Sequence, residues 1–253
     1  MIAGGGKIIA SLFHELAPRV IPGVSTADLD LFCDDYILSH DGAVPAFKGL
    51  YGFPGSVCTS VNEEVVHGIP SVSRILVSGD IVSIDVGVRL AGWCSDSAWT
   101  FVVGEVGNKA LSLLKTTEKA LGFAINAARP GNHVGDIGAA VITAVEGEDC
   151  KIVRDLVGHG VGREVHEEPQ VPNTGRPGHG PLLREGMVLA IEPMLSAGSP
   201  EIRTLDDGWT VITADKALSA HFEHTVAVTA QGPKVLTTLE SSFYAVSATS
   251  GTA

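Results

Sequence analysis

The strongest constraint on this chain is that it carries one pattern twice. Leu76-x-x-Gly79-Asp80-Ile81-Val82-Ser83-Ile84-Asp85 is matched by Leu183-x-x-Gly186-Met187-Val188-Leu189-Ala190-Ile191-Glu192 at an offset of 107. Pro22-Gly23 precedes Asp28-Leu29 as Pro130-Gly131 precedes Asp136-Ile137, at an offset of 108. His67-x-x-Pro70 is answered by His166-x-x-Pro169 at 99, a difference that a change in loop length absorbs. Matched segments in one order imply two copies of a helix-plus-sheet unit, roughly residues 20–104 and 128–229, inside a single domain over 1–240. Two related halves commonly place a site at their shared interface. The Ser/Thr/Ala tail, 241–253, is expected to be loosely attached.

In each copy the apolar strand ends on a carboxylate, Asp85 in the first and Glu192 in the second. A carboxylate closing a buried strand is costly unless it is paired or binds a metal. Asp85 is followed by a turn, Arg89-Leu90-Ala91-Gly92, and then by Asp96 ahead of the strand-like Trp99 to Val103. A turn centred on the Leu90–Ala91 bond sets Asp85 directly opposite Asp96. Like charges opposed across strands repel, so a cation is expected between them, and a divalent metal is the simplest. Glu223, in His221-Phe222-Glu223-His224, and His159, in the glycine-rich turn Gly158 to Gly162, share the same apolar setting. Taken singly, each acid is more often structural or solvated. Taken together, four carboxylates and one imidazole suit a pair of divalent cations such as Co, Mn, Fe or Zn. The histidine argues against an all-oxygen calcium site, and the absence of thiolates against a structural zinc.

A net charge of −12 makes a nucleic-acid backbone an unsuitable ligand. The four cysteines are widely spaced with no C-x-x-C pair, as expected of a reducing cytoplasm. No apolar run reaches the length of a membrane span, and the N-terminus lacks the pattern of a signal peptide. Along the chain, apolar spacing predicts helices over Lys7–Arg19, from Ser25 to Asp41, over Gly107–Ala128 and over Val134–Val145. Leu111, Leu114, Leu121 and Ile125 mark the inner face of the third, and Ile137, Val141 and Ile142 that of the fourth. Gly4-Gly5-Gly6 is a poor helix start. The Gly- and aromatic-rich loop Phe47–Gly55 is of a kind that often lines sites.

The chain resembles a methionine aminopeptidase of the shorter, type I class without a zinc-binding extension. The residues that carry this are Ser56-Val57-Cys58-x-Ser60-Val61-Asn62-Glu63 with Val66-His67-Gly68-Ile69-Pro70, Ser83-Ile84-Asp85, Gly158-His159-Gly160-Val161-Gly162 with His166-Glu167-Glu168-Pro169, Ile191-Glu192-Pro193, and Ser219 to Thr225. The resemblance implies the α/β "pita-bread" fold, two pseudo-symmetric helix-plus-antiparallel-sheet halves around a dinuclear metal site. It implies that Asp96 and Glu223 bridge the metals, that Asp85 completes one, and that His159 and Glu192 complete the other. It further implies attack of a metal-bridging water or hydroxide on the first peptide bond. Glu192 would then shuttle the proton, His166 would donate to the carbonyl oxygen, and His67 would contact the backbone beyond that bond. Cys58, Phe53 and Trp209 would line the methionine pocket. Leu50 and Val165 stand where aromatic residues are usual, which leaves the strictness of the methionine preference open. The implied partners are peptide and nascent-protein N-termini, with ribosome contact as a further implication; a monomer is expected.

Two other readings compete. An Xaa-Pro aminopeptidase or prolidase shares such ligands but usually adds an N-terminal domain and places Arg two residues before the final Glu, where this chain has His221. A binding protein that had lost the chemistry would show substituted ligand positions, and none of the five is substituted.

Overall fold

The computed structural model describes residues 1–238, so the tail proposed over 241–253 lies outside the described residues. Among the described residues, four α-helices pack against four antiparallel sheets: α1 (Ile2–Leu16), α2 (Thr26–Leu38), α3 (Asn108–Ala127) and α4 (Val134–Val145). One sheet is built on the long hairpin of Ile81–Leu90 and Trp93–Val102, with Cys58–Val61 and Ala43–Pro45 pairing one after the other along the free edge of its first strand. A five-stranded sheet runs in the order Gly232–Val235, His224–Thr229, Val188–Ile191, Val157–Gly160, Glu167–Pro172. Two three-stranded sheets complete the set, one containing Met194–Ser196 and Ser219–His221, the other Glu64–Val66 and Val211–Thr213.

The two halves repeat the same local bonds. The Gly23 N–H donates to Leu76 O at 2.8 Å, and the Gly131 N–H donates to Leu183 O at 3.0 Å. Ser25 bridges Ile75, and His133 bridges Leu182. Asp28 accepts from the Ser25 N–H at 3.0 Å and Asp136 from the His133 N–H at 2.6 Å, each satisfying an amide at a helix start. In both halves the Pro-Gly turn thus fastens a helix N-terminus to the segment that feeds the carboxylate-ending strand.

Several local expectations give way to tertiary contact. The first helix begins at Ile2 and runs through Gly4-Gly5-Gly6. A Cβ on Gly5 would lie 2.7 Å from Ser95 Oγ, and one on Gly6 would lie 2.2 Å from Leu236 O. Close packing, not propensity, decides that segment. Gly158-His159-Gly160 is a strand rather than a turn, because a Cβ on Gly158 or Gly160 would strike Ala190 O or Glu168 O at 2.3 Å. Leu111 and Ile142 face outward, 41% and 42% exposed; the buried faces pass through Leu113, Leu114 and Leu121, and through Ile137 and Val141.

The hairpin register also differs from the one expected. Leu90 pairs with Trp93, so the turn is Ala91-Gly92, with φ of 49° and 76°. Both central residues are left-handed, as the two-residue turn that suits strand twist requires. Asp85 therefore pairs with Ala98, and Asp96 with Gly87. The two aspartates are diagonal neighbours on one face rather than directly opposed.

Candidate metal centre and active site

Cross-bonds between the hairpin and the C-terminal half bring the site together. Asp96 N–H donates to Thr225 Oγ1 at 2.9 Å, while that hydroxyl donates back to Asp96 O at 2.6 Å. Ser97 Oγ donates to Glu223 O at 2.6 Å, and the Glu223 N–H donates to Ala98 O at 2.9 Å. Asp96 and Glu223 are held against each other by backbone that neither can leave without breaking buried bonds. Asp85 comes from the hairpin's first strand opposite Cys58, His159 from a strand paired with Ala190, and Glu192 from just beyond that same partner strand.

All five residues line one cavity of about 270 Å³. One ligand atom each from Asp96, His159 and Glu223 lie within 4.8 Å of one another. His159 Nε2 is 3.5 Å from Glu192 Oε1 and 3.8 Å from Asp96 Oδ2. Its Nδ1 is 2.9 Å from Gly160 O. A carbonyl only accepts, so Nδ1 carries the proton and the Nε2 lone pair faces two carboxylates. Burial pushes this imidazole down to about 4, which keeps it neutral. A lone pair pointed at anionic oxygens is repulsive unless a cation or a proton lies between them.

The carboxylates make the same demand. Burial pushes Asp85 up to about 7. Burial, reinforced by the neighbouring carboxylates, holds Asp96, Glu192 and Glu223 well above the ordinary range. Asp85 Oδ1, Asp96 Oδ1 and Glu223 Oε1 are buried and make no hydrogen bond among the described residues. Hard oxygen donors with one neutral imidazole nitrogen fit divalent first-row cations.

The remaining expected residues border this centre. The His166 ring lies 4.5 Å from that of His159, and His67 meets Trp209 edge-on at 6.4 Å. Phe53 packs edge-on against Trp209 at 5.2 Å, beside Cys58 in an apolar cluster that includes Leu50 and Val165. Phe47, Tyr51, Val66, Leu156 and Met194 also line the cavity, and none of them is assigned a site role from the sequence. The first two lie in or beside the aromatic loop; nothing in the spacing of Leu156 or Met194 marks them. Tyr51 adopts a left-handed φ of 51° and stacks on His166 at 6.0 Å.

The loop that carries Phe53 is anchored from α2. Asp30 Oδ1 accepts from the Ser56 and Val57 N–H groups at 2.7 and 3.0 Å, and Asp34 Oδ1 accepts from Ser56 Oγ at 2.5 Å and Lys48 Nζ at 3.1 Å. Asp30→Ala strands two amides, so the protein should lose about 1–3 kcal/mol of stability. Denaturant unfolding checks the loss, and a rise in KM larger than the fall in kcat would locate it in the pocket loop.

Residues 2–230 match the model of metallopeptidase family M24. The chain belongs to that family. This M24 peptidase is 51% identical to the methionine aminopeptidase of Clostridium perfringens over 93% of its own length and 94% of the relative's. It is 50% identical to methionine aminopeptidase 1 of Bacillus subtilis over 92% and 93%. The crystal structure of methionine aminopeptidase from Rickettsia prowazekii superposes with a TM-score of 0.91 at 43% identity, covering 93% of this chain and 95% of that one. The fold is the pita-bread fold, and the M24 peptidase uses divalent metal. Prolidase from Pyrococcus furiosus has a TM-score of 0.75 at 23% identity, with 95% of this chain and 63% of that one covered, a likeness of fold alone.

Proposed function

We propose that this cavity holds a pair of divalent cations and that its residues divide the work of removing N-terminal methionine from peptides and proteins. Hydrolase class and methionyl aminopeptidase activity follow from family membership together with about half identity over nine-tenths of the chain. The distribution of roles is our reading. The observation that carries it is the convergence of four carboxylates, Asp96 and Glu223 buried and Asp85 and Glu192 largely so, and the His159 lone pair, with no cationic side chain among them.

Asp96 and Glu223, gripped against each other by cross-bonds, would be the two carboxylates at the heart of the cation site. Asp85, His159 and Glu192 would complete the set of donors that holds the cations. Divalent cations, when bound, supply the Lewis acidity that makes water a nucleophile near neutral pH. Glu192 takes the proton that water gives up on attacking the first carbonyl carbon and returns it to the leaving amide nitrogen. Free methionine and a peptide shorter by one residue result. His166, at the mouth, donates to the carbonyl oxygen as it gains charge. His67 contacts the backbone beyond the cleaved bond. The thioether chain enters the apolar cluster of Phe53, Cys58 and Trp209. We also read residues 20–104 and 128–229 as copies of one unit within a single domain over 1–240, a proposal supported by the paired bridges Ser25–Ile75 and His133–Leu182. Among the described residues no helix is long and apolar enough to cross a membrane.

Protein reloaded with Mn²⁺ or Co²⁺ should release free methionine from Met-Ala-Ser and leave Ala-Pro-Ala intact, as read by chromatography of the products. Cleavage of the proline peptide alone would move the assignment to prolidase chemistry. Metal uptake without cleavage of either peptide would leave a binding protein.

A further inference from the structure

His221 lies behind the carboxylates of this site without lining its cavity, and the roles above give it no work. It ends the Ser219–His221 strand and is 1% exposed. Its backbone cannot shift freely, because the Thr100 hydroxyl donates to His221 O at 2.9 Å and accepts from the His221 N–H at 3.0 Å. Its Nε2 is buried and makes no hydrogen bond among the described residues. That nitrogen lies 3.6 Å from Glu192 Oε2 and 3.8 Å from Glu223 Oε2. The other oxygen of Glu192 faces His159 Nε2 at 3.5 Å. The two oxygens of Glu192 are therefore shared between two imidazoles, one on each side.

We propose that His221 is a positioning residue of the metal centre, whose Nε2–H holds Glu192 Oε2 and thereby fixes which oxygen of Glu192 is turned toward the His159 side. The inference rests on the metal-centre reading above. A buried N–H settles on an acceptor, and these two carboxylates are the acceptors within reach. The present separations are a few tenths of an ångström beyond a hydrogen bond, a gap that side-chain torsions of Glu192 can close. Ligating carboxylates are ordinarily held in turn by outer hydrogen bonds, whose loss costs roughly 10–100-fold in metal affinity. A glutamate that must both bind a cation and pass a proton gains from such a hold, because each task uses a particular oxygen.

The alternative is that Nε2 is itself a ligand, its lone pair aimed inward like that of His159. The reach and chemistry of the amide side chains separate the two. Glutamine offers an N–H near the position of Nε2; asparagine is one methylene shorter and falls short of Oε2. Both are polar, so neither exposes the site to a large change in packing character. The test is calorimetric titration of Mn²⁺ into metal-free wild type, His221→Gln and His221→Asn, with circular dichroism to establish folding and the visible spectrum of the Co²⁺-loaded proteins recorded beside it.

We expect His221→Gln to bind within about three-fold of wild type with an unchanged Co²⁺ spectrum, and His221→Asn to lose roughly 10–100-fold at one site. Equal affinity in all three proteins overturns the proposal. So does equal loss in both variants with an altered Co²⁺ spectrum, which would make His221 a ligand. Should His221→Asn fail to fold, the glutamine variant still decides through its affinity and spectrum. A wild type that takes up no metal would sink the metal-centre reading itself, a result distinct from any pattern among the variants.

Discussion

Glu192→Gln should lower turnover by about 10²–10⁴-fold while leaving peptide affinity within a few-fold. The amide keeps the shape and the strand position of the carboxylate but cannot take a proton from water. Glu192 is buried beside Asp85, Asp96 and Glu223, and burial raises its proton affinity above that of an ordinary carboxyl, as suits a proton carrier. Since the residue is also assigned to metal binding, the metal content of the same sample has to be measured with kcat and with the dissociation constant of a non-cleaved peptide analogue. Full metal occupancy with turnover within a few-fold of wild type would remove Glu192 from proton transfer. Loss of metal in step with activity would reduce it to a ligand.

Asp96→Asn should act in opposite directions on the metal-free and the metal-loaded protein. In the loaded protein the substitution would remove a proposed cation donor, and calorimetry should show cation affinity falling by more than the roughly 100-fold that outer-shell losses reach. In the metal-free protein the same change relieves repulsion. Burial, with the charges of Asp85 and Glu192, holds the Asp96 carboxyl well above its ordinary value. An acid raised by folding contributes stability below its unfolded value, and that contribution disappears as pH rises through the folded value. Ionised Asp96 therefore weakens the metal-free fold at alkaline pH, and asparagine does not. Metal-free Asp96→Asn should melt higher than metal-free wild type on the alkaline side, the difference shrinking as pH falls toward the ordinary carboxylate range. With Mn²⁺ in excess the order should invert, since a ligand bound only to the native state stabilises in proportion to its affinity. A variant that melts lower than wild type in both forms would show that Asp96 holds the fold together through something other than cation binding.

The residues that converge on this cavity are more legible in the sequence than their arrangement. Asp85 and Glu192 announce themselves because a strand of Ile, Val, Leu and Ala that ends on an acid is chemically costly, and because it happens twice. The structure brings both into one cavity with Asp96, His159 and Glu223. The register between Asp85 and Asp96 was not readable. Symmetric spacing favoured a turn at Leu90–Ala91, whereas the turn chemistry of Ala91-Gly92 moved the pairing by two residues. A glycine was the available signal, and it belongs at the second turn position rather than after the turn. Glycines misled at Gly4 to Gly6 and at Gly158 to Gly160 for a different reason. There the missing Cβ makes room for Leu236, Ala190 or Glu168, partners remote in sequence or on a neighbouring strand. The surroundings of His221 were equally hidden. Glu192 reaches it from outside its own strand, and Thr100 from the hairpin.

The bonds from Thr225, Glu223 and His221 to the hairpin have a consequence for how this protein comes into being. Asp85 and Asp96 are synthesised long before the strand that fastens them, and the last of the five clustered residues to appear is Glu223. Even then α1 lacks its seat, since Gly6 packs against Leu236, whose N–H bonds Thr225 O at 2.8 Å. The chain must therefore be synthesised through Leu236 before these carboxylates hold their positions. A half-made copy of a protein that trims new N-termini cannot assemble the centre it would need to trim its own.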